Sequence, residues 1–230
     1  MKLRIFFLIL LTLSAPGFAL AQNDWEKTPY QNWTKDQVKK ILNNSPWVKT
    51  KTFRQATTQT RFGDMVSPET TARMTLRSAL PVRQALLRQR QLNAKYDKMT
   101  DDEKKAFDAK NSALLDCPAC REYYAVEITS QYLTMDNKDY VSDRKKFVYL
   151  SNENGDRREL ADFVVLSQQD NELVFFFPRR NEKGENLLTP KTKTLTFNFE
   201  LKGLDGKSVF PFEKFDIDVS TLIVNGEVAF

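Results

Sequence analysis

The sequence predicts an α+β protein, with helices at about 35–43, 81–98 and 101–115 packed on a C-terminal antiparallel β-sandwich, Ig-like in kind. Two observations predict it. Two capping boxes, Thr34 with Gln37 and Thr100 with Glu103, open apolar-periodic stretches in the first half. In the second half, about seven short stretches alternate apolar and polar residues between turn signals, the texture of antiparallel strands with one buried face. A third feature bounds the folded part. Lys2 and Arg4 precede an apolar run, Ile5 to Leu13, and Ala19-Leu20-Ala21 offers the small residues that a signal peptidase accepts. The expected division is therefore a signal peptide at 1–21, a helical region with one strand at 22–120, and a sandwich region at 121–230 that forms one integrated domain with it.

The apolar run is about half the roughly 20 residues needed to cross a bilayer as a helix. No later stretch is apolar enough to do so, so no transmembrane segment is expected after cleavage. Losing Lys2 and Arg4 takes the formal net charge from +5 to +3, which by itself points to no particular partner.

Taken in order, Thr34 caps the first helix, with Trp33 placed to staple onto Val38. Ser45-Pro46 ends it, because proline disfavours helical geometry at the preceding residue. Trp47 follows, so two tryptophans bracket the helix and are expected to pin it to a larger body. An edge strand is expected near 48–53, in a Thr-rich basic loop over 48–70, and a half-buried strand at 72–78 from the alternation of Ala72, Met74 and Leu76 with Arg73, Thr75 and Arg77. Pro81 opens the second helix, where a missing N–H costs nothing. The third begins after Thr100, with Phe107 and Leu114 on its buried face and a bend at Met99-Thr100.

Tyr124, Val126 and Ile128 then alternate as a strand. Asn154-Gly155 marks a hairpin after Phe147 and Tyr149, since Asn-Gly suits the positive φ of tight turns, and 160–166 makes the return strand. Leu173 to Phe177 is a short strand ended by Pro178. Leu195, Phe197, Phe199 and Leu201 form one inward row before a turn at 203–206. Phe210, Phe212, Phe215, Ile217 and Val219 form another, with a bulge at Glu213-Lys214, and a last hairpin turns at Asn225-Gly226.

The stretch Trp33-Thr34 … Ile41-Leu42-Asn43-Asn44-Ser45-Pro46-Trp47 resembles a motif of a loosely defined group of uncharacterised secreted bacterial proteins, in which a Trp-Ser/Thr helix ends in Ser-Pro-Trp. Ser78-Ala79-Leu80-Pro81-Val82-Arg83 and the Phe-rich C-terminal strands are similar to that group as well. The resemblance implies a secreted or periplasmic bacterial protein and no particular activity.

The chain contains no histidine, which removes the imidazole that Ser-His-Asp and Cys-His catalysis require and that the common zinc enzymes lean on. No glycine-rich phosphate loop or dinucleotide fingerprint is present, and no cofactor is expected. The two cysteines stand in Cys117-Pro118-Ala119-Cys120. In an oxidising compartment they are expected to form a small structural disulfide, worth roughly 2 kcal/mol in the chain-entropy view. The motif is read as ending a helix and preceding a strand, opposite to the helix-opening position of exchange-active pairs.

Residues 48–98 carry 11 basic side chains against Asp64, Glu69 and Asp97. Arg73, Arg77, Arg83, Arg88 and Arg90 are the candidate anion-binding residues among them, for a protein or an acidic cell-envelope component; nucleic acid is not expected. Asp216 and Asp218 share a strand face and are read as solvated, with no metal expected. The functional expectation is an exported, non-enzymatic binding or structural module of unknown ligand. The alternatives are a thiol-disulfide oxidoreductase using Cys117 and Cys120, and a carboxylate-dependent glycan hydrolase, which needs only paired acids.

Overall fold

The computed structural model describes residues 25–54, 58–59, 65–66, 69–130, 147–167, 172–199, 214–224 and 226–229. The expected signal peptide, the turn at 203–206, Phe210, Phe212, Asn225 and Phe230 lie outside the described residues. Among the described residues, helices α1 (Lys35–Asn43), α2 (Leu80–Asn93), α3 (Asp101–Asn111) and α4 (Pro118–Glu122) all precede residue 123. The strands are β1 (Val48–Arg54), β2 (Thr58–Gln59), β3 (Met65–Val66), β4 (Glu69–Leu76), β5 (Tyr123–Ser130), β6 (Val148–Asn152), β7 (Arg157–Glu159), β8 (Asp162–Ser167), β9 (Glu172–Pro178), β10 (Thr194–Phe199), β11 (Lys214–Asp218), β12 (Ile223–Val224) and β13 (Glu227–Val228).

Among the described residues every strand pairing is antiparallel. The larger sheet has the order β1-β4-β5-β9-β8 and the second β11-β10-β6-β7; β2 pairs β3 and β12 pairs β13. Period-two alternation sends one face of each sheet inward. Met74, Ile128 and Leu173 share one face of the larger sheet, as do Leu76, Val126 and Phe175. Leu150, Phe197 and Phe215 share a face of the second sheet. Rings join the two: Phe175 lies 5.9 Å from Phe197 and 5.5 Å from Phe199, and Phe177 lies 5.9 Å from Phe197. All four phenylalanines are fully buried.

Both capping boxes form. Thr34 Oγ1 accepts the Gln37 N–H at 3.2 Å while Gln37 Oε1 accepts the Thr34 N–H at 2.9 Å, and Thr100 and Glu103 repeat the exchange. The expected pinning tryptophans are buried at both ends of α1, in one cluster with Trp25, whose ring lies 6.0 Å from Trp33 and 5.3 Å from Trp47. Trp33 donates its indole N–H to the Trp25 and Thr28 carbonyls.

Four elements differ from the sequence expectation. Helix α2 stops at Asn93 rather than 98: Lys95 takes a left-handed conformation (φ 56°) and a 3₁₀ turn follows at Tyr96–Lys98. The reversal turns Tyr96 onto α3, where its hydroxyl donates to Asp108 at 2.7 Å and its ring meets Phe107 at 5.3 Å. The break therefore precedes the expected bend at Met99-Thr100. Helix α3 stops at Asn111 rather than 115, where the buried Asn111 amide turns back to the Phe107 carbonyl and Arg90 holds its oxygen. The Cys-Pro-Ala-Cys motif does not end a helix; it opens one, α4, with Cys117 as cap and Pro118 in the first turn. Finally, the return strand expected at 160–166 is two strands. β7 pairs β6 in one sheet and β8 pairs β9 in the other, and the chain changes sheets at Leu160-Ala161, where the Ala161 N–H bonds the Phe176 carbonyl.

Candidate functional site

The five candidate arginines are drawn into three separate places. Arg73 and Arg77 stand on the outward face of the larger sheet beside Glu127, whose side chain is only 5% exposed. Arg77 Nη1 lies 2.6 Å from Glu127 Oε2, and Arg73 Nη2 lies 4.0 Å from Oε1. A groove of about 290 Å³ opens there between this face and residues of α1 and α2, among them Asn43, which accepts from Arg73. Its lining sets two guanidiniums against two carboxylates, Glu127 and Glu172, so the groove is balanced rather than basic.

Arg83 is spent on backbone. It donates to the Ser78, Leu114 and Leu115 carbonyls and so ties the start of α2 to the end of the 3₁₀ turn that follows α3. Burial, with Arg179 and Arg121 nearby, holds its guanidinium below its ordinary pKa. Arg121 is on α4 and the Arg179 backbone N–H bonds the Glu122 carbonyl, so both arginines stand at the segment that carries the cysteines.

Cys117 and Cys120 stand at disulfide distance, 2.08 Å between sulfurs. Cys117 is half-buried and its sulfur accepts the Cys120 N–H, while Cys120 is 8% exposed. The signal for this capping position was present in the sequence: a proline directly after a side chain able to cap is a helix start.

Arg88 and Arg90 belong to the third place, where several buried polar side chains converge. A cleft of about 560 Å³ lies between the N-terminal 3₁₀ turn (Tyr30–Asn32), α2, and α3 with its continuation. Arg88 is buried at its base, donating to the Trp33 carbonyl at 3.1 Å and to Gln91 Oε1 at 3.4 Å, with Asp97 at 3.5 Å. Arg90 lies outside and holds Asn111, which lines the wall, at 2.8 Å. Tyr30 and Tyr96 flank the cleft, and both phenols titrate above their ordinary value. In Tyr96 the hydrogen bond to Asp108 comes first, pushing it up to about 12. In Tyr30 burial comes first and the Asp108 charge adds to it. Sequence reasoning found Arg88 and missed Tyr30, Gln91, Tyr96, Asp108 and Asn111. The reversal at Lys95 brings Tyr96, Asp108 and Asn111 back beside α2.

Asp216 and Asp218 remain surface groups. Asp216 accepts from the Thr196 hydroxyl at 2.8 Å, and Asp218 caps the 3₁₀ turn at Val219–Leu222 through Ser220, which lowers its pKa. No group of three metal-ligating side chains occurs among the described residues, and none of their helices is long and apolar enough to cross a membrane. Comparison with protein-family models, curated proteins and solved structures gave no match.

Proposed function

We propose that this chain is an exported, non-enzymatic binding module of the bacterial envelope or exterior, working through the cleft between the N-terminal turn, α2 and α3. The carrying observation is the convergence there of Arg88, Gln91 and Asn111, each at most 8% exposed, on an open cleft flanked by two tyrosines. Buried polar groups cost free energy unless their bonding is completed, and concave sites with a few placed polar groups are where ligands bind. The architecture we infer is a sandwich, Ig-like in the broad sense that two antiparallel sheets face each other across the phenylalanines, with the helices as an added layer. Export is supported by the pattern of residues 1–21, by the cysteine pair and by the resemblance to secreted bacterial proteins.

The test is a fragment screen by ligand-observed NMR on the mature protein, repeated on Tyr96→Ala. Hits that disappear in the variant support the reading. Hits that are unchanged, or no hits at all, contradict it.

A second reading has its own observation. Cys117 caps α4, which carries Arg121, and Arg83 bonds the Leu115 carbonyl two residues before it; nearby positive charge with a helix-capping position stabilises a thiolate. In that reading Cys117 is the attacking thiol of a thiol-disulfide oxidoreductase and Cys120 the resolving one. A Cys117 thiol pKa well below the ordinary value of about 8.5, measured on reduced protein, would favour it; an ordinary pKa would end it.

A further inference from the structure

The cleft has an internal asymmetry that bears on its ligand. Its one cation is already answered, because Arg88 faces Asp97 at 3.5 Å. Asp116 is likewise answered, by Arg121 at 2.6 Å. Asp108 is not: it has no ion-pair partner among the described residues, and its one hydrogen bond is with the Tyr96 hydroxyl. A carboxylate offers about four acceptor sites, so most of its capacity is free. Next to it in chemistry is an unmet donor. Gln91 is 4% exposed and turns its oxygen to Arg88, and its amide nitrogen meets no acceptor among the described residues. The opposite orientation of the amide would set two donors against each other, so the free group on Gln91 is the NH₂.

From this we propose that the cleft takes a neutral, hydroxyl-rich ligand, a saccharide, with Gln91 donating to it and Asp108 accepting from it. The inference rests on the binding reading above and deepens it. A hydroxyl donates and accepts at once, so one ligand group type serves both Gln91 and Asp108. An anionic ligand would meet uncompensated Asp108 with no spare cation. An ammonium would suit Asp108 but could not accept from the Gln91 NH₂, since it has no acceptor to offer. The half-buried rings of Tyr30 and Tyr96 add flat surfaces with an apolar body and a polar tip, suited to the C–H faces and hydroxyl edges of a sugar ring.

The experiment is an array of neutral oligosaccharides probed with the purified mature chain. The strongest hit is then titrated calorimetrically into wild type, Asp108→Asn and Gln91→Leu. Cadaverine and a polyuronate serve as amine and acid probes. The expected result is saccharide binding weakened about tenfold or more in each variant, the loss of a buried hydrogen bond to a polar partner. Asp108 is exposed in the free protein, so Asp108→Asn reports even if Gln91→Leu does not fold. Binding, in place of any neutral saccharide, of cadaverine that is lost in Asp108→Asn, or of polyuronate that is kept or strengthened in Asp108→Asn, would overturn the ligand class and leave the binding reading standing. Saccharide binding equal in wild type and Asp108→Asn would overturn the site. Silence from all three probe classes would overturn both.

Discussion

The layer between the two sheets and the cleft beside α2 and α3 are both tightly made, but from opposite materials. Between the sheets, Phe175, Phe177, Phe197 and Phe199 sit ring to ring with no polar atom to satisfy. Around α2, the buried groups include Arg88, Gln91 and Asn111, each held by named bonds, and one of them retains an unused donor. Apolar packing is non-directional and is complete once space is filled. Polar burial is directional and is complete only when every partner is present. On the proposed reading, stability belongs to the first region and recognition to the second.

The sharpest way to break this contrast is to cut each region in turn. Phe197→Ala removes a ring that touches three others and leaves a cavity; a loss of about 3–5 kcal/mol is expected by denaturant titration. Ligand binding at a temperature where the variant is folded should be unchanged. Glu127→Ala lies between the two regimes. It strips the nearly buried carboxylate from Arg77 and Arg73, and about 1–3 kcal/mol should be lost. Replacing the pair together, Arg77→Met with Glu127→Leu, should recover much of that loss, because isosteric apolar replacement removes the unpaired charge. Equal stability of Glu127→Ala and wild type would show that the pair has no structural role.

Smaller effects belong to the helix starts. Thr34→Ala and Thr100→Ala each remove the acceptor of a capping box and should cost about 1 kcal/mol. The smallest effect is a titration. Tyr96 should ionise near pH 12 by ultraviolet difference absorbance, and Asp108→Asn should bring it back toward the ordinary value of 10.0. The sign follows from the raised folded-state value: the protonated phenol is the form that is favoured by folding. Its contribution is complete below the unfolded pKa and is lost as pH rises from about 10 toward 12.

The two regions also differ in how much of them the sequence disclosed. Strands read well, since Leu195, Phe197 and Phe199, or Phe215 and Ile217, are buried apolar residues at every second position. Both Thr-capped helix starts read well for the same reason, a local bond between residues three apart. The change of sheets at Leu160-Ala161 was not legible, because alternation fixes which face a residue takes and not which neighbour its strand joins. The cleft was hidden for a related reason. Its walls come from three separate elements, and the turn that assembles them puts Lys95, with no glycine or asparagine to announce it, at φ 56°. The charge excess over 48–98 did direct attention to Arg88, but as one cation of a surface patch rather than as the base of a polar cleft.

The measurement that bears most directly on the division of labour is a backbone-amide NMR titration of the mature protein with the strongest neutral oligosaccharide. The account predicts shifts gathered in 30–32, 87–91, 96–97 and 108–116, the residues around the cleft, with β9 and β10 undisturbed. Shifts gathered instead around Cys117 and Cys120, or along the outward face of the larger sheet, would contradict it.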